Sequence, residues 1–196
     1  RNGLLVSTFC PMKQGVDGEW QFATWNGIPG YLTGLDVESL VRLVLLCENI
    51  NGCLVEVGSM YGLSTAVILN AATSPKKMFA FDLFTFINNP SESSLEQWKN
   101  NIKPYVGKHN VIPVVGDYNT TLPELAERIA FAFVDGGHTV KDIVLCHDTI
   151  WPFLNSGGIL AFHDYANTNY PETTEYLDSL SYKTAEKRNG LVAFRK

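Results

Sequence analysis

The sequence predicts an α/β fold: a doubly wound, mainly parallel sheet with helices on both faces and a C-terminal antiparallel hairpin. Three observations carry this expectation. From Cys53 onward, short apolar runs of strand length alternate with longer helical segments. The first run, Cys53 to Val57, passes through a turn bracketed by Gly58 and Gly62 straight into a helix-length apolar segment, Leu63 to Ala72. Near the end, Asn189-Gly190 separates Tyr182 to Arg188 from Leu191 to Arg195, a strong two-residue hairpin signal.

Composition sets the outer bounds. A chain of 196 residues, 45% of them hydrophobic, suits one domain with a core of its own. The formal charge is −5, without a block of like charges, so no nucleic-acid partner is expected. No apolar run reaches membrane-spanning length and no signal-like segment opens the chain, so a cytoplasmic protein without a membrane partner is expected. The first residue is Arg1, consistent with a trimmed chain or a piece of a longer one. Cys10, Cys47, Cys53 and Cys146 show no C-x-x-C spacing and read as buried free thiols in a reducing compartment. Nothing decides between a monomer and a homo-oligomer.

Taken in order, residues 1 to 32 mix Gly, Pro and aromatics without a period, as a packed arm or part of a substrate lid. A helix begins at Asp36, with Asp36 as its cap and Val37, Leu40, Val41, Val44 and Leu45 as its apolar stripe, and stops by Asn51-Gly52. After the glycine turn come a second strand, Lys77 to Phe81, and a long loop, 83 to 93, with exposed-looking aromatics. Ser93 and Glu96 read as the capping box of a helix that stops before Pro104. A third strand runs Asn110 to Gly116, a short helix Leu122 to Arg128, and a fourth strand Ile129 to Asp135. A helix from Val140 to Leu154, a fifth strand from Ile159 to Phe162 and a helix near Glu172 to Leu180 precede the hairpin.

In an open α/β sheet, ligands bind off the carboxyl ends of the strands, where strand order reverses. Five strands in succession end beside a carboxylate: Glu56, Asp82, Asp117, Asp135 and Asp164, with His138 and His163 on the same rim. One or two would pass as helix caps; five with two histidines read as a site. A glycine turn opening a helix brings backbone N–H groups up to a ligand, and its G-x-x-x-G spacing is not the dinucleotide G-x-G-x-x-G. Asp82 is placed to accept both ribose hydroxyls of a nucleoside, and Asp117 and Tyr118 to meet its base, although Tyr118 also reads as a plain loop aromatic. Asp142, His147 and Asp148 read as surface or supporting groups on the helix that follows His138.

The stretch Glu56-Val-Gly58-Ser59-Met-Tyr-Gly62-Leu-Ser64 resembles motif I of the class I S-adenosylmethionine (SAM) methyltransferases, in the form of catechol O-methyltransferase and its relatives. The order Asp135-Gly-Gly-His138, helix, Gly157-Gly158, apolar strand, His163-Asp164-Tyr165 resembles the same group, including macrolide- and cephalosporin-tailoring enzymes. The resemblance spans roughly residues 30 to 196 and implies a Rossmann-like methyltransferase domain over 36–196, behind an arm or lid over 1–35. It also implies SAM as cofactor and a small-molecule acceptor. Glu56, Gly58 and Ser64 match residues around the methionine part of SAM, and Asp82 the ribose acid. By position Asp135 and Asp164 would hold a divalent cation, Mg²⁺ or Mn²⁺, and His138 would stand where catechol O-methyltransferase uses a lysine base. The relatives have a second oxygen ligand beside the strand-five carboxylate, whereas His163 and Tyr165 flank Asp164 here. That leaves open two carboxylates plus water and His163, a softer ion, or no metal. Methyl transfer to a hydroxyl, less so to an amine, is the expected activity. A catalytically silent SAM-binding module of a larger protein and an NAD(P) oxidoreductase remain the rival readings, the latter disfavoured by the missing dinucleotide fingerprint and by carboxylates that would repel phosphates.

Overall fold

The computed structural model describes residues 9–10, 13–14, 20–21, 23–85, 94–188 and 190–196. Its centre is a seven-stranded sheet: β1 (Cys53–Val57), β2 (Lys77–Asp82), β3 (Asn110–Val115), β4 (Ile129–Val134), β5 (Leu154–Tyr165), β6 (Lys183–Arg188) and β7 (Gly190–Arg195). The spatial order is β6-β7-β5-β4-β1-β2-β3. β1 to β5 pair in parallel, and β7 enters antiparallel between β5 and β6. The order reverses beside β1, so β1 and β4 flank the switch point. Every residue of both strands is buried, as their unbroken apolar runs require of parallel strands covered twice. Pro113, which cannot donate to a ladder, lies on the edge strand β3.

Helices α1 (Gly34–Leu46), α2 (Leu63–Ala71) and α3 (Ser94–Val106) cover one face. Phe131 and Phe133 of β4 point into that layer with Leu40, Leu43 and Ile68. Helices α4 (Tyr118–Thr121), α5 (Val140–Ile150) and α6 (Pro171–Ser179) lie on the other, where Ala132 and Val134 meet Ile143, Ile150 and Leu177. Successive residues of one strand thus feed two cores. A three-stranded antiparallel sheet (Phe9–Cys10, Ala23–Trp25 and Ile28–Gly30) and a two-stranded one (Lys13–Gln14 and Trp20–Gln21) precede α1, and Trp25 and Ile28 are buried.

Several boundaries differ from the sequence reading. Thr33, not Asp36, caps α1; Asp36 is the third helical residue and returns the capping-box bond to Thr33. Leu43 replaces Leu45 on the buried stripe, and Leu45 is exposed. α3 runs through Pro104, which forfeits one i→i−4 bond in the last turn, while Tyr105 packs on Trp25 at 5.3 Å. Ser93, the expected cap of α3, lies outside the described residues. The short helix begins earlier, at Tyr118, because the Asp117 carboxylate accepts from the Asn119 amide, and only a 3₁₀ turn, Leu122–Glu124, follows. α5 gives way to a 3₁₀ turn at Trp151–Phe153 around Pro152. β5 extends to Tyr165. Phe84 is buried edge-on against Trp98 instead of exposed. The hairpin strands pair as expected, with Asn189 outside the described residues. Cys47, Cys53 and Cys146 are buried and free. No described helix is long and apolar enough to cross a membrane.

Candidate active site

The glycine turn is built for contact. Gly58 has φ +86°, and a Cβ there would lie 2.1 Å from the Asp135 carbonyl oxygen, so only glycine lets the turns after β1 and β4 touch. Gly62, at φ +89°, is pressed against Ile102 and Trp98 and opens α2. Beneath the turn, Glu56 is fully buried; its Oε2 accepts from Ser59 Oγ at 2.7 Å and from Thr65 Oγ1, which itself accepts from Trp98 Nε1. Burial pushes the Glu56 carboxyl up to about 7, against the lowering effect of the Ser64, Thr65 and Ser59 hydroxyls.

Asp82 closes the turn from β2. Its Oδ2 accepts from the backbone N–H of Ser59 (2.7 Å) and Met60 (2.8 Å), and its Oδ1 from that of Phe84 (2.7 Å). Two lone pairs of one oxygen are thereby used, and one remains on the other.

After β4, Asp135-Gly136-Gly137-His138 turns into α5, which Thr139 and Asp142 start with a capping box. The Tyr118 hydroxyl accepts from the Gly137 N–H at 3.0 Å and reaches the Asp142 carboxylate. Burial and the Asp142 charge raise the Tyr118 phenol well above its usual range. Space is short at both glycines, and shortest at Gly137. A Cβ on Gly137 would lie 2.3 Å from the Tyr118 hydroxyl, and one on Gly136 would lie 3.2 Å from its ring.

At the end of β5 the register shifts between His163 and Tyr165, and Asp164 has φ +55°. Such a bulge re-aims a side chain, and a left-handed backbone at a non-glycine residue marks a conformation its surroundings impose. Asp164 Oδ2 comes within 3.2 Å of His138 Nδ1 and 3.6 Å of His163 Nδ1, and Oδ1 accepts from Asn167 Nδ2. The His138 ring stacks on Tyr170 at 4.6 Å. A histidine with one nitrogen facing a carboxylate keeps the other to accept a proton. Despite burial, which raises it, the Asp164 carboxyl is held below its usual range by His163 and Asn167.

His163 sits deeper. Its Nδ1 is 3.0 Å from Asp135 Oδ1, and its Nε2 is 3.4 Å from Asp36 Oδ2. Neither ring nitrogen makes a directed hydrogen bond, so these contacts are ionic. Burial opposes the charged ring, but Asp135, Asp164 and Asp36 outweigh it and raise His163 well above its usual range. Asp36 accepts from Thr33 N and Oγ1 and pairs with Arg188 Nη2 at 2.6 Å, and Arg188 Nε donates to Ser39. Positive and negative groups alternate from Asp135 through His163 and Asp36 to Arg188.

These groups open on a cavity of about 910 Å³ over the carboxyl ends of β1, β2, β4 and β5. Gly58, Ser59, Ser64, Asp82, Tyr118, Asp135, His138, His163 and Asp164 all line it. Glu56, Gly62 and Asp117 do not: the first two hold the turn from behind and Asp117 caps α4. Pro29 to Leu32 and Asn167 to Tyr170 contribute walls, and no Lys or Arg is among the described lining residues. Three residues escaped the sequence reading: Asp36, Gly136 and Gly137. Asp36 looked like a plain cap, and nothing local pointed to its distant partners. Gly136 and Gly137 were read only as part of a motif, although a doubled glycine is a local pattern that fits close packing. His147, read as a surface or supporting group, is buried and touches Asp148 and Tyr176.

Sheet order, with β7 alone antiparallel to its neighbours, and a glycine turn opening on a carboxylate-lined cavity define a class I SAM-dependent methyltransferase. Residues 55–165, more than half of the chain, match the profile of a methyltransferase domain family, and the chain belongs to that family. No curated protein sequence matches it. Among solved structures it is similar to the O-methyltransferase NovP, with 17% identity over 85% of this chain and 81% of that one and a TM-score of 0.67. It is also similar to CalS11, a TDP-rhamnose 3′-O-methyltransferase of calicheamicin biosynthesis (21%, 82% and 78%, TM-score 0.63). An rRNA methylase from Streptococcus thermophilus is a third (17%, 83% and 95%, TM-score 0.60). At such identities the likeness is one of fold.

Proposed function

We propose that the protein transfers the methyl group of SAM to a hydroxyl oxygen of a small molecule, with His138 as general base. The observation that carries this reading is the 3.2 Å approach of His138 Nδ1 to Asp164 Oδ2, beside Asp135 at the cavity that adjoins the glycine turn. Asp164 orients the ring, and His138 Nε2 takes the hydroxyl proton as the oxygen attacks the methyl carbon. The C–S bond breaks as the C–O bond forms, and the sulfonium leaves as a neutral thioether. A hydroxyl needs such a base as it attacks; a neutral amine does not, which favours oxygen. The turn at Gly58, Ser59 and Ser64 receives the methionine part, Asp82 offers its remaining lone pair to the ribose, and Tyr118 packs on the adenine. Glu56, Gly62 and Asp117 act from behind, by shaping the turn and the Tyr118 loop. Holding oxygen, carbon and sulfur in line is the larger share of the task.

The residues present suit a divalent cation, Mg²⁺ or Mn²⁺. Asp135, His163 and Asp164 offer donor atoms within 4.8 Å of one another, and His163 is a buried ring without a directed hydrogen-bond partner. Bound there, such an ion supplies a Lewis acid that acidifies the acceptor hydroxyl.

A cavity of about 910 Å³ exceeds the middle of the roughly 300–1,000 Å³ range of ligand pockets, room for the cofactor and a small acceptor. The absence of Lys and Arg from its described lining and the net charge of −5 favour a small uncharged or cationic acceptor over nucleic acid. Free buried cysteines fit a cytoplasmic setting. The test is transfer of labelled methyl from SAM to a panel of small hydroxyl compounds and to RNA, with parent and His138→Ala proteins. Transfer to a hydroxyl compound that His138→Ala loses supports the reading. Transfer to RNA alone overturns it.

A further inference from the structure

We infer that the cation site prefers Mn²⁺ over Mg²⁺, because its third donor is the imidazole of His163 and Asp36 positions that ring. This rests on the metal-assisted reading above. Asp135, His163 and Asp164 approach one another from the ends of two adjacent strands, with His163 Nδ1 3.0 Å from Asp135 Oδ1 and 3.6 Å from Asp164 Oδ2. The side chain of His163 is only 10% exposed, and Nδ1 directs no hydrogen bond at either carboxylate despite lying so near both. The Nδ1 proton of the charged ring lies between two carboxylate oxygens, in the place that a cation would take, and metal binding releases it. Its surroundings, two carboxylate oxygens and the open cavity, suit a cation.

The other edge of the ring shows why the site favours Mn²⁺. Nε2 faces Asp36 Oδ2 at 3.4 Å. A carboxylate beside the far nitrogen of a metal-facing ring is the usual support of a metal-bound histidine, and Asp36 stands where it would hold the Nε2 proton once Nδ1 coordinates. Asp36 is itself immobile: 1% exposed, it is gripped by Thr33 at the start of α1 and by Arg188 of β6. Edge-on packing of the ring against Phe133 at 6.1 Å limits its tilt. Imidazole suits first-row transition ions, whereas Mg²⁺ takes oxygen and gives up its waters reluctantly. Two carboxylates alone would not discriminate much; the fixed nitrogen does. Asp164, turned by its left-handed backbone, completes the set while also facing His138, so the cation and the base share one carboxylate.

Titration of MnCl₂ and MgCl₂ into the SAH-loaded protein, followed by calorimetry and by the Mn²⁺ electron-spin signal, reads this without turnover. The parent is expected to bind Mn²⁺ at least about tenfold more tightly than Mg²⁺. His163→Gln, which offers an amide oxygen, should bring that ratio towards one. Asp36→Asn should weaken Mn²⁺ by about 10–100-fold, the range for a lost supporting partner, while leaving Mg²⁺ much less affected. Thermal melts check that each variant is folded, and Arg188→Lys, which leaves Asp36 in place, should give a smaller loss of the same sign. Equal affinities in the parent, or a His163→Gln protein with the parental ratio, overturns the inference while the metal-assisted reading stands. Binding of neither ion overturns both.

Discussion

Asp82 holds Ser59 in place: a carboxylate oxygen at the end of β2 accepts the Ser59 amide at 2.7 Å, and the Met60 amide beside it. The acid thus shapes the turn before any cofactor arrives, and Met60 keeps its left-handed backbone (φ +44°) under that restraint. Asp82→Ala should therefore lose SAM affinity twice over, through the ribose and through a slackened turn. Each bond to a charged acceptor is worth on the order of 1.5–3 kcal/mol. Calorimetry should find SAM binding weakened by more than about tenfold, with Asp82→Asn intermediate. Parental affinity in Asp82→Ala would remove the residue from the cofactor site.

His138→Ala should retain SAM affinity and lose turnover by about 10²–10⁴-fold, the range for a general base. A His138→Ala enzyme of parental speed sinks the base assignment.

Glu56 ties stability to pH. Burial pushes its carboxyl from 4.5 to about 7, so between those values the folded chain keeps a proton that the unfolded chain releases. The sign follows: stability falls as pH rises from about 4.5 to about 7, and is lost no further above that. The size is of order a few kcal/mol at most. Urea midpoints at pH 5 and pH 7 should differ by less in Glu56→Gln than in the parent. An unchanged pH dependence would show that Glu56 is ionised throughout.

Tyr118→Phe removes only the hydroxyl that braces Gly137 and Asp142. The ring that faces the cavity stays. The expected result is SAM affinity within about twofold of the parent and a rate about fivefold lower, since one hydrogen bond of roughly 1 kcal/mol positions the loop carrying Asp135 and His138. Weaker SAM binding at an unchanged rate would place the hydroxyl at the cofactor instead.

Much of the sheet and its rim was legible in the sequence because both rest on residue types with few alternatives. Gly58 cannot be replaced where two turns touch, apolar runs such as Ile129 to Val134 have few uses other than a buried strand, and carboxylates at successive strand ends converge once the strands are parallel. What stayed hidden was long-range or ambiguous in kind. Asp36 and Arg188 are 152 residues apart, and an aspartate before an amphipathic helix has an ordinary local meaning. Glu56 was legible as a motif residue, but its complete burial depends on Trp98 and α3. The start of α4 was misjudged because Asp117, read towards the adenine, spends its carboxylate on the Asn119 amide.

The antiparallel entry of β7 between β5 and β6 has a consequence for the order of assembly. The glycine turn leans on Asp82 after β2 and on Asp135 after β4, so it is not complete when β1 and β2 alone have been made. Arg188, which secures Asp36 and through it His163, is made more than a hundred residues after the turn. Because a domain folds as a unit, cofactor pocket and reaction centre come together only when the last strand is out.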